Sequence, residues 1–126
     1  MSCDIKEHIL KNGLIVMIKD KSVILSGDLW FVRLEITTTC YLENADEELH
    51  RLFGEKIVKT RLIERPAVHQ NRLDEVKESL SESYLSSTLH YMQTPKYLKR
   101  FKEKALRDQL EKIEKERRLR EAGVIP

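Results

Sequence analysis

The sequence predicts an α+β fold: an N-terminal three- to four-stranded antiparallel meander packed by an α-helix, followed by a long charged C-terminal helix. Three observations carry that expectation. Apolar residues recur with period two before residue 66, the period becomes 3.6 after Pro66, and an Asn12-Gly13 pair separates two apolar runs. A chain of 126 residues has the length of one compact domain. The expected division is an α+β domain over 1–95 and a charged helical extension over 96–126.

Strands come first. Asn12-Gly13 lies between Ile9-Leu10 and Leu14-Ile15-Val16-Met17-Ile18, a pattern that predicts a hairpin with a type I′ turn and strands at about 5–11 and 14–19. From Leu29 to Leu42, Trp30, Val32, Leu34, Ile36, Thr38, Cys40 and Leu42 alternate with Arg33, Glu35, Thr37 and Thr39. This is the signature of an antiparallel strand with one face in the core and one facing water. Between these strands, Val23-Ile24-Leu25 is either a short strand joined to the next by a bulge at Gly27 or an apolar loop, and in both cases it wants partners. A fourth extended run spans 56–65, ending where Pro66 interrupts it.

Helix signals take over around and after these runs. Asn44 with Glu47 three residues on has the form of a capping box, and Gly54 ends the short helix it would start. Asn71 is the expected N-cap of a helix over 72–92, about 31 Å long, whose stripe is Leu73, Val76, Leu80, Tyr84, Ser87 and Tyr91, widened by Leu85, Leu89 and Met92. Thr94-Pro95 reads as an N-cap followed by proline at the first helical position, opening a last helix that runs to about Glu121 with Gly123 beyond it. Its apolar stripe of Leu98, Phe101, Ala105, Leu106, Leu110 and Ile113 gives out past Ile113. There Glu111 with Lys115 and Glu114 with Arg118, like Glu103 with Arg107 earlier, supply local pairs of about 0.2–0.5 kcal/mol each.

Composition and motifs exclude more than they assign. The formal net charge is +2, with 35% charged residues, unlike a polybasic nucleic-acid binder. That total averages two unlike parts: residues 96–121 hold eleven Lys and Arg against six Asp and Glu, +5, which leaves twelve against fifteen, −3, in the remainder. No stretch approaches a membrane span, and Met1–Lys11 has no apolar run of secretory length, so a cytoplasmic protein without membrane contact is expected. Cys3 and Cys40, in no metal-ligand spacing, are expected as reduced thiols.

No phosphate-binding glycine loop, HExxH, GxSxG or EF-hand pattern occurs, and the four histidines lie apart, so no catalytic residue, metal site or cofactor is expected. Ser79, Ser83, Ser86 and His90 share one helix face, but they lack the strained turn and oxyanion donors that make a serine nucleophilic.

Two features point to binding. Ile15 and Met17 lie opposite Leu14, Val16 and Ile18, so one apolar face of that strand needs cover, and Phe31 joins it on the neighbouring strand. The last helix folding back or a second copy of the chain would serve. The other feature is the basic helix, with Lys96, Lys99, Arg100, Phe101, Lys104 and Arg107. The expected function is a non-enzymatic protein-interaction module that homodimerises or binds another protein. The alternative is a nucleic-acid-associated protein using the basic helix, set against the interleaved acids that make a solvated face.

Overall fold

A computed structural model of the chain describes residues 5–123. It is an α+β fold with five antiparallel strands: β1 (Ile5–Ile9), β2 (Ile15–Asp20), β3 (Val23–Ser26), β4 (Leu29–Tyr41) and β5 (Lys56–His69). A short helix α1 (Glu47–Phe53) links β4 to β5, and α2 (Leu73–Met92) and α3 (Pro95–Glu121) follow. The long β4 is the spine. One of its edges carries β2 along residues 34–39 and β3 along 29–31, and the other carries β5 over nearly its whole length. Strand β1 extends the sheet beyond β2.

Local chemistry explains both the agreements and the departures. The first hairpin forms, but Gly13 N–H donates to the Leu10 carbonyl and Leu10 N–H to the Leu14 carbonyl, making a three-residue loop of Lys11, Asn12 and Gly13. Only Gly13 has positive φ, +90°, so the turn is not type I′ but one with a glycine in the left-handed position at its end. Asn12 is held otherwise: its Nδ2 donates to the Met92 and Thr94 carbonyls at 2.6 and 3.0 Å, clamping the hairpin onto the α2–α3 junction. Val23-Ile24-Leu25 is a strand, displaced by a bulge between Ile24 and Ser26, with Gly27 at φ +55° in the turn into β4.

Three boundaries differ from expectation for identifiable reasons. Helix α1 starts after Asp46 rather than Asn44, because Asp46 Oδ2 accepts from both Glu43 N–H and Lys102 Nζ. A 3₁₀ turn over Gln70–Arg72, capped by the His69 ring accepting from Asn71 N–H, precedes α2, so Asn71 is not its N-cap. Strand β5 continues through Pro66 to His69. It does so as an edge strand, where the missing N–H is tolerated, with Ala67 at φ +57° opposite an irregularity in β4. Thr94 caps α3 as expected, its Oγ1 accepting from Tyr97 N–H at 3.1 Å.

One face of the sheet holds the core. Leu14, Val16 and Ile18 of β2 and its turn, Val32, Leu34, Ile36 and Cys40 of β4, and Ile57 of β5 are buried there. Leu73, Val76, Leu80, Tyr84, Leu85, Leu89 and Met92 of α2 pack over them, each fully buried large aliphatic contributing about 1.5–3 kcal/mol. The core also crosses residue 95: Tyr97, Leu98, Phe101, Ala105 and Leu106 of α3 belong to it. Beyond that point Leu110 and Ile113 are exposed. The outer half of α3 is laced by Arg117 to Glu114 and Glu121 and by Arg118 to Glu114, while the other two expected pairs do not close.

Candidate interaction surface

Both long helices lie on the core side, which leaves the opposite face of the sheet without a cover. Directly opposed residues share a face, so the register lays out rows across four strands. Ile9, Ile15, Thr39 and Val58 form one, and Glu7, Met17, Thr37 and Thr60 the next. Ile9 is 73% exposed, Val58 48% and, one row outward, Tyr41 56%. Toward the centre the face becomes charged, with Lys21 3.7 Å from Glu35 and Arg33 Nε 3.5 Å from Glu64. At the far end Val23 opposes Phe31, and the Arg33 guanidinium lies 5.8 Å from the Phe31 ring centroid. The open face is therefore two apolar ends separated by a charged belt in which Leu62, opposite Glu35, is 41% exposed.

The predicted residues divide accordingly. Ile15 and Met17 are half-buried neighbours on this face. Phe31 is on the same face but six residues along β4 from Thr37, Met17's partner, or about 20 Å. Ile9, Val58, Tyr41 and Val23 complete the two ends. Ile9 was readable from the hairpin register, whereas Val58 required knowing that β5 pairs with β4. Exposure of all of β3 leaves Val23, Ile24 and Leu25 without the partners their composition wants.

On α3, Lys96, Lys99, Arg100, Lys104 and Arg107 are exposed, and Arg100, Lys104 and Arg107 line one shallow depression with Glu103. Phe101 parts company with them: it is 6% exposed, packed in the core, and carries Lys59 Nζ 4.9 Å from its ring centroid.

Elsewhere several polar groups are occupied internally, while His8 Nε2 is buried without a hydrogen-bond partner among the described residues. Ser87 and Ser86 donate to the Ser83 carbonyl of their own helix, the first at 2.7 Å, the usual fate of a helical hydroxyl. Cys40 is a free, buried thiol, and burial pushes it up against the pull of Lys102. Cys3 lies outside the described residues. A cavity of about 310 Å³ between β2 and α2 is lined by Lys6, Asp20, Asp74, Lys77 and Glu78. Its central charges are already paired, with Lys77 Nζ 2.7 Å from Asp20. Burial raises the Asp20 carboxyl, but Lys77 and Ser22 outweigh it and hold the group below the usual range. Among the described residues no three His, Cys, Asp or Glu side chains are grouped as a metal ion would need. Among the described residues no helix is long and apolar enough to cross a membrane.

Compared with known proteins, the chain matches no family model, no curated protein and no solved structure.

Proposed function

We propose that the protein is a cytoplasmic protein-interaction module that homodimerises, each copy covering the open sheet face of the other. The observation that supports this reading is the row of Ile9, Ile15, Thr39 and Val58, with Met17 and Tyr41 beside it, on the side of the sheet that neither helix reaches. Size agrees. With β4 and β5 about 44 Å long, β1 and β2 about 17–20 Å and strands about 4.8 Å apart, the face spans on the order of 600–700 Å². A standard interface covers roughly 800 Å² per partner.

Charge agrees as well. Lys19, Lys21, Arg33 and Lys56 share the face with Glu7, Glu35 and Glu64, so the patch is not repelled by a copy of itself, as an isologous interface requires. Light scattering on the full chain should give about twice its 14.9 kDa, and Met17→Lys should return it to the monomer mass. A monomer at all concentrations contradicts the proposal.

A second reading rests on the exposed basic strip of Lys96, Arg100, Lys104 and Arg107, which recurs at helical spacing over about 16 Å of α3. It makes the helix a contact for nucleic-acid phosphates. Filter binding that falls steeply between low and moderate salt supports it, and no retention at low salt removes it.

A further inference from the structure

The free edge of β5 carries a different surface, independent of the open face. Among the described residues strand β5 pairs with β4 alone, so every second backbone N–H and C=O along its other side points away from the sheet. Beside that edge, on the helix side, a groove runs between β5 and α2. It consists of two adjoining depressions of about 420 and 350 Å³ that share Arg65, Leu80 and Ser83 as walls.

The register fixes which β5 side chains flank this groove. Arg61 and Arg65 oppose Ile36 and Val32, so they share the helix-side face and wall the groove, while Glu64 opposes Arg33; Lys59, also on the helix-side face, turns its Nζ over the Phe101 ring of α3 and lies outside the groove. Arg61 and Lys59 make no ion pair with any described residue, and Arg65 donates only to the neighbouring Glu64 carbonyl. The edge is thus a run of open backbone groups beside the guanidinium groups of Arg61 and Arg65, with Ile63 and Leu80 as apolar floor and with Glu64 and Glu75, the latter 4.0 Å from Arg72, also in the walls.

The geometry points to a binding site for an extended acidic peptide that adds as a strand to β5 and seats alternate side chains between β5 and α2. Backbone hydrogen bonds supply the register, and carboxylates of the incoming strand meet Arg61 and Arg65. The same charges disfavour a second copy at this edge, because two such strands would set arginine and lysine against one another. Pro66 and the left-handed Ala67 limit the open stretch to the part of β5 before them.

The test is fluorescence anisotropy of the full chain with a labelled peptide of about ten alternating Glu and Val residues. The expected result is saturable binding, weakened about tenfold or more by Arg61→Glu/Arg65→Glu and to a smaller degree by Arg61→Gln/Arg65→Gln, both at exposed positions whose folding is checked by circular dichroism. N-methylation of one alternate set of peptide nitrogens should abolish binding and methylation of the other set should spare it. Met17→Lys should leave it unchanged. No binding at low salt, equal tolerance of both methylated peptides, or tighter binding of a single-stranded oligonucleotide at the same residues would overturn the proposal.

Discussion

The two faces of the sheet come from the same strands, yet they differ in what alternates with what. On the closed face β2 and β4 present Leu14, Val16, Ile18, Val32, Leu34 and Ile36, all buried under α2 and α3. On the open face the alternate positions are Ile15, Met17, Lys19, Arg33, Glu35, Thr37 and Thr39. Those residues are too apolar at the ends for a face that meets only water and too charged in the middle for a permanent core. The apolar part of the open face is thus split into two patches by the charged centre, where the closed face is one continuous apolar layer. Helix α3 repeats the contrast along its length: its first turns are core and its last turns are held by their own ion pairs.

The comparison breaks most visibly if α3 is cut. Removing residues 96–126 takes Tyr97, Leu98, Phe101, Ala105 and Leu106 out of the core, and the expected outcome is loss of a cooperative urea transition. Removing only 111–126 should change stability by no more than about 0.5 kcal/mol, since among the described residues of that stretch none is buried and the ion pairs are local to α3. Within the core, Phe101→Ala should cost about 3–5 kcal/mol by the same measurement. Met17→Ala on the open face, measured at a concentration where the chain is monomeric, should cost far less.

Asn12→Ala comes next. It strips two acceptors, the Met92 and Thr94 carbonyls, of their only side-chain donor, and a destabilisation of about 1–3 kcal/mol is expected from the shift of the urea midpoint. A smaller and pH-dependent effect attaches to Asp46. The Glu43 N–H, and after it Lys102, hold the Asp46 carboxyl below its usual range against the penalty of burial. A depressed carboxyl contributes stability that is present above its unfolded value and lost as pH falls through the folded one. Urea midpoints followed down through the acid range should therefore drop less steeply in Asp46→Asn than in the parent chain.

Much of this architecture was legible because alternation and helical period are local. The faces of β4, the Thr94-Pro95 start of α3 and the glycine-ended turns follow from a few adjacent residues. What was not legible depends on distant partners. The type I′ expectation at Asn12-Gly13 failed because Asn12 is recruited by carbonyls eighty residues away. Asn44 lost the cap of α1 to Asp46, whose carboxylate has a second partner in Lys102. Pro66 does not end β5, since the strand is an edge. Phe101 reads equally well as a binding aromatic or a core residue until the side of the sheet that α3 packs against is known. The open face itself was half visible: Ile15 and Met17 mark it, but Val58 joins them only through the β4–β5 register.

If the open face is where the protein meets its copy, as proposed, the methionines report on it directly. Met17 is on that face and Met92 is buried under the helices. Methyl spectra with the Met17 resonance assigned through Met17→Leu should, on dilution from high to low concentration, show the Met17 methyl shifting as the dimer dissociates while the Met92 methyl stays fixed. A Met17 methyl that does not move while the measured mass falls by half would place the dimer elsewhere and contradict the account.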